Sequence, residues 1–212
     1  GILFTQIRAT ALLCNIIVVS GNVYLFHKRK ILDWKKIIPL VTLSIPFAFF
    51  GGYLKISNQL FFILLGVTLL FAAITMWLSN KIVSGEENKT KPIKNVAYGG
   101  IIGFVSGMVG IGGGIFLAPL LHLTSWDTPK KIAATASLFI LVNSIAGLFG
   151  QYSNPNFEID WSLTSILLFT VFIGGQIGSR ISNKILTPYQ LKKATAILIA
   201  FVSIRILIKY LF

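Results

Sequence analysis

The residues best placed to do chemistry offer backbone rather than side chain. Gly107-Met108-Val109-Gly110-Ile111-Gly112-Gly113-Gly114 carries five glycines in eight residues inside an apolar segment, and Pro119 follows. Such a run interrupts helical hydrogen bonding, and at membrane depth an interrupted backbone survives only where it is buried in protein or lines a watery cavity. Broken helices of this kind point to the substrate site in membrane carriers. After the glycines, Ile115-Phe116-Leu117-Ala118-Pro119-Leu120-Leu121 can form a half-helix. The free amides of its first turn, together with the helix dipole, favour an anion. Glycine also lets a ligand approach the main chain unobstructed. Gly110, Gly112, Gly113 and Gly114 are therefore candidate anion-binding residues.

Polar side chains that can assist are Thr135 and Ser137 early in the next apolar segment, Asn143 and Ser144 further along it, and Gln176 in the segment after that. Thr10 occupies the repeat-related position to Thr135, as shown below. Hydroxyls and amides donate to an oxyanion without the cost of a buried charge, although serine and threonine in membrane helices also bond back to their own backbone. Gly99, Gly103 and Gly107 fall at four-residue spacing and suit close helix packing, as do Gly174 and Gly178. Asp33, Glu86, Glu87, Asp127, Glu158 and Asp160 all fall in connectors, which argues against a carboxylate proton relay. His27 and His122 read as interfacial residues. Nothing resembles a hydrolytic triad, a zinc cluster or a phosphate-binding loop, so we expect no catalytic residues, no metal ligands, no cofactor and no enzyme activity.

The elements that position these groups are apolar. The 212 residues are 55% hydrophobic and 12% charged, and the apolar runs are long enough to cross a hydrocarbon core of roughly 30 Å. This composition predicts an all-α polytopic membrane protein with the lipid bilayer as its surroundings. Segments run from Ile7 to Phe26, Ile37 to Leu54, Leu60 to Leu78, Val96 to Leu121, Ile132 to Gly150, Leu163 to Ile181 and Ala194 to Leu211. The net charge of +13 sits in short connectors, which fits the positive-inside bias and argues against a nucleic-acid partner. Cys14, the single cysteine, lies in an apolar run and reads as a small buried hydrophobe. No signal peptide is visible, and Gly1, standing where a methionine is expected and already close to an apolar helix, predicts further chain upstream.

Two halves are related in sequence. Ile7-Arg8-Ala9-Thr10-Ala11 matches Ile132-Ala133-Ala134-Thr135-Ala136; Ile31-Leu32-Asp33-Trp34 matches Glu158-Ile159-Asp160-Trp161; Lys55-Ile56-Ser57 matches Arg180-Ile181-Ser182. We therefore divide the chain into a first repeat (1–79) lacking its own glycine-rich segment, a polar linker (80–95) and a second repeat (96–212) with the glycine run. Loop charge bears on topology. If Val96 to Leu121 crosses once, the 19 basic residues divide eleven against eight; if it enters, turns at the glycines and returns, they divide fifteen against four. The re-entrant version satisfies the positive-inside rule better and gives inverted repeats. A single span with an unwound middle remains the alternative, since 26 residues can also cross as one helix.

The run from Gly103 to Gly114, then Pro119, then Ala134-Thr135-Ala136-Ser137, with Asp33-Trp34 and Asp160-Trp161 in connectors, resembles the sulfite exporter TauE/SafE family of membrane permeases over the whole chain. The resemblance implies a secondary transporter of the bacterial cytoplasmic membrane that moves a small-molecule anion, a sulfur oxyanion or organosulfonate, outward. It also implies two halves, each with a glycine-rich motif, of which this chain carries one. An anion channel and a non-transporting membrane scaffold are the alternatives.

Overall fold

Apolar stretches too poor in charge to fold in water close their backbone hydrogen bonds locally as helices. A computed structural model describes residues 4–54, 56–78, 92–124, 126–155, 157–185 and 188–211. Among these residues the structure is all-helical, with eight helices and no strand. They are α1 (Phe4–Lys28), α2 (Trp34–Tyr53), α3 (Asn58–Leu78), α4 (Pro92–Val109), α5 (Gly114–Leu123), α6 (Pro129–Tyr152), α7 (Trp161–Ile185) and α8 (Pro188–Leu211). Four of them, α1, α2, α3 and α6, contain stretches long and apolar enough to cross a membrane.

The apolar segment from Val96 to Leu121 is broken at the glycines into α4 and α5. Gly110, Gly112 and Gly113 hold φ of 77°, 77° and 81°, a left-handed conformation that costs any residue with a Cβ. The Ser106 carbonyl closes α4 by accepting from the amides of Gly110 (2.7 Å) and Ile111 (3.3 Å).

Small residues set the packing around α2. A Cβ on Gly99, Gly103 or Gly107 would strike the backbone of Leu40, Ser44 or Ala48, so α4 lies against α2 and parallel to it. Gly52 meets Gly147, and Gly150 meets the backbone of Phe49, which seats α6 on another side of α2. Beyond α5 the chain is back at the start of α2: Asp127 accepts a 2.8 Å hydrogen bond from Lys36. Leu40, Leu117, Leu121, Trp126, Ile132 and Phe139 form the core between these elements.

Helices α1 and α6 run antiparallel, with Leu12 beside Gly147 and Val23 and Phe26 packed with Ala134 and Leu138. Helices α3 and α8 also pair antiparallel. Phe62 stacks on Tyr210 at 4.2 Å, Ser203 donates to the Gly66 carbonyl at 2.9 Å, and Lys193 lies 5.3 Å over the Trp77 ring.

Two expectations need correction. Gly174 does not mediate packing: a Cβ there meets nothing within 4 Å, because this face of α7 is open. Cys14 is half-buried rather than buried. Linker residues 80–91, Lys55, and the side chains of His122, Gln176, Gly178, Arg180 and Ser182 lie outside what the structure describes.

Candidate functional site

The glycine turn sits at mid-height of two long helices. A Cβ on Gly112 would stand 2.6 Å from Ser144 Oγ, 2.9 Å from Ile140 Cγ2 and 3.1 Å from Asn15 Nδ2. Asn15 is the twelfth residue of α1 (4 to 15), and Ile140 is the twelfth of α6 (129 to 140). A Cβ on Gly113 would meet Phe139 and Ile102, and one on Gly114 would collide with Ile140. The turn is thus closely packed on its Cα side.

Its amides are a different matter. Gly112, Gly113 and Gly114 are buried, yet their N–H groups and that of Ile115 donate to no acceptor among the described residues, whereas Phe116 and Leu117 both reach the Gly113 carbonyl. Buried backbone donors without partners are rare in folded proteins and mark a place where a water or ligand belongs. Helix α5 adds the positive end of its dipole at the same place.

Ser144 is fully buried and its hydroxyl has no partner. Beside it Asn143, also fully buried, donates to the Phe139 carbonyl at 2.8 Å and leaves Oδ1 unpartnered. What Asn143 keeps free is an acceptor, suited to a proton-bearing ligand atom rather than to an anionic oxygen. Ser106 Oγ, buried on the last turn of α4, is unpartnered as well.

The other sequence candidates lie as follows. Thr135 is buried on α6 one turn before Phe139. Ser137 donates to the Ala133 carbonyl at 2.9 Å, so its hydroxyl is taken up by its own helix. Thr10 shares a 2.9 Å hydrogen bond with Thr164 of α7, buried. The side chain of Gln176 is outside the described residues.

Two residues near the turn were not singled out from the sequence. Asn15 donates to the Ile111 carbonyl at 2.9 Å, fixing the turn to α1. Arg8, 2% exposed, donates through Nη2 to the carbonyls of Gly51 (3.1 Å), Gly52 (3.2 Å) and Gly107 (3.0 Å), and its backbone abuts Gly110. Arginine in the segment Ile7–Ala11, opposite Ala133 in the similar segment Ile132–Ala136, was the available signal.

At the far end of α5, Asp127 ties the segment down. Burial pushes its carboxyl up, but hydrogen bonds from Lys36 and the Thr128 amide, with the charges of Lys36 and Lys131, outweigh that and hold it below the ordinary carboxylate value. Lys36 also lies 5.7 Å over the Trp126 ring.

Apolar helices broken at a glycine turn, with donors unpaired among the described residues at the break, are the kind of arrangement that lines binding sites in membrane transport proteins. The family model for the sulfite exporter TauE/SafE matches residues 2–206, and the chain belongs to this family. It is 32% identical over 209 residues to a probable membrane transporter protein of Sinorhizobium fredii, covering 95% of this chain and 82% of that one. A probable membrane transporter protein of Methanocaldococcus jannaschii is 28% identical over 80% of this chain and 68% of its own. A third, from Bacillus subtilis, is 23% identical over 84% and 72%. No solved structure matches the chain.

Proposed function

We propose that the protein is a secondary carrier of the bacterial cytoplasmic membrane that exports a small sulfur oxyanion, sulfite or an organosulfonate, bound at the glycine turn. The observation that carries this reading is the set of donors at the start of α5 that are unpaired among the described residues, the amides of residues 112–115, of which Gly112, Gly113 and Gly114 are buried, joined by the orphaned Ser144 hydroxyl pressed against Gly112. Oriented backbone donors at a helix start form a ready-made anion site.

In this reading α4 and α5 form a re-entrant hairpin inside a multi-pass bundle of inverted repeats. Supporting it, α5 ends where Asp127 meets Lys36 at the start of α2, the end from which α4 also sets out, with Gly99 on Leu40. The ten residues of α5 reach about 15 Å, half of a hydrocarbon core. The repeat-related pairs α1 with α6 and α3 with α8 pack antiparallel, as an in-plane two-fold axis requires. An inside-negative potential would favour efflux of a monoanion by roughly 2.3 kcal/mol per 100 mV.

The test is tracer efflux from proteoliposomes loaded with sulfite, methanesulfonate, sulfate or chloride. Saturable flux selective for sulfite or the sulfonate is expected, with Ser144→Ala raising the apparent KM about fivefold, the worth of one hydrogen bond. Flux that does not saturate would point to a channel. No flux of any anion, from protein shown to be folded, would refute the proposal.

A further inference from the structure

Arg8 is a buried cation without a carboxylate partner among the described residues. Its guanidinium donates to the carbonyls of Gly51, Gly52 and Gly107 and, at 3.5 Å, to that of Leu54, while Nε is buried with no partner among the described residues. Those carbonyls belong to the ends of α2 and α4, where the helix dipoles are negative, so they offset part of the charge. They cannot neutralise it, and a desolvated charge lacking a counter-ion is expensive. At 2% exposure the side chain is closed to a lipid phosphate. Its backbone abuts Gly110, whose Cβ would stand 3.1 Å from Arg8 Cα and carbonyl oxygen, and its Nη2 holds the Gly107 carbonyl at 3.0 Å, so the guanidinium lies against the last turn of α4, next to where the glycine turn begins.

We propose that Arg8 is the fixed cationic anchor of the anion site, a specificity-determining residue whose charge is neutralised by a monovalent anion at the glycine turn. The inference rests on the reading that an anion occupies that turn. The single charge of Arg8 sets a preference by valence. One guanidinium balances one negative charge, whereas a dianion would leave a net charge buried in the bundle. The position matching Arg8 in the second repeat is Ala133, so the related segment supplies no second cation. Arg8 thereby favours a singly charged oxyanion over sulfate, a preference that amides alone do not impose.

The experiment compares tracer flux of methanesulfonate and sulfate in proteoliposomes carrying the wild type, Arg8→Gln and Arg8→Lys, alongside thermal unfolding of each. Arg8→Gln is expected to raise the apparent KM for methanesulfonate about tenfold or more, the order of a unit charge acting across a partly buried site, and to narrow the preference over sulfate. Arg8→Lys keeps the charge but loses the fork that spans several carbonyls. It should therefore unfold earlier than the wild type yet stay within about threefold of its KM. Wild-type KM and selectivity in Arg8→Gln would overturn the anchor alone, leaving the glycine site standing. If Arg8→Gln does not fold, a tenfold KM loss in folded Arg8→Lys would overturn it, because charge would not be what matters. No anion flux in the wild type would remove the glycine site and the anchor together.

Discussion

Replacing Gly113 by alanine separates a required backbone conformation from incidental small-residue content. Gly113 holds φ +81°, and a Cβ there would stand 2.7 Å from Phe139 Cε1 and 3.1 Å from Ile102 Cγ2. An L-residue forced into the left-handed region costs roughly 1–2 kcal/mol. Pressing a methyl group into a filled interior costs about 1–3 kcal/mol more. Phe139 is fully buried in the core, so it has little room to withdraw. Gly113→Ala should therefore lose about 2–5 kcal/mol. Gly174 is the control: it is helical, at ordinary φ, with nothing within 4 Å of a Cβ. Gly174→Ala should gain about 0.5–1 kcal/mol from helix propensity. Unfolding of both variants in the same detergent, followed by helical circular dichroism against denaturant, measures the difference directly. Equal stability of Gly113→Ala and the wild type would refute the strained-turn reasoning, and so would equal losses at the two positions.

Other outcomes follow from the same contacts. Thr10→Val strands the buried Thr164 hydroxyl, and Thr164→Val strands Thr10; each should cost about 1–3 kcal/mol, while the double variant should cost far less than their sum. Asp127 is held below its ordinary carboxylate value, so the folded state binds that proton less readily than the unfolded chain. Its contribution is complete above the ordinary range near about pH 4 and is lost as pH falls through the lower folded value. Asp127→Asn should thus flatten the acid limb of stability against pH and cost about 2 kcal/mol at neutral pH through the lost Lys36 contact. In a Cys14→Ala background, single cysteines in the linker at 79–95 and in the loop at 151–160 should react with impermeant thiol reagents from opposite sides of the membrane; labelling of both from one side would exclude the re-entrant hairpin.

Much of this architecture is legible in the sequence because hydropathy and glycine act locally. Five of the seven apolar runs lie within helices, Ile37 to Leu54 overshoots α2 by one residue, and Val96 to Leu121 is broken at Gly110–Gly113, where three left-handed φ values leave glycine as the strain-free choice. Four-residue spacing correctly marks Gly99 and Gly103 as contacts with the α2 backbone. The same pattern misleads at Gly174, since small-residue spacing says that an approach is possible and not that a neighbour exists. Long-range partners are where local reasoning stops. Nothing near Arg8 in sequence predicts carbonyls 43, 44 and 99 residues away. A polar residue inside an apolar run, as Asn15 is, gives no sign that it secures Ile111. Ser137 and Ser144 read alike as hydroxyls of one segment, yet one bonds back to Ala133 while the other faces Gly112 unpartnered. Helical phase relative to the turn decides between them, and it depends on how α6 docks.

The most direct measurement is of the glycine amides themselves, by solid-state NMR of 15N-glycine-labelled protein in lipid bilayers titrated with sulfite and with methanesulfonate. The amides of Gly112, Gly113 and Gly114 should shift saturably, with half-effect near the KM for flux, while Gly174 and Gly175 on the open face of α7 stay still. Saturable flux with no movement of those three amides would contradict an anion held by the turn.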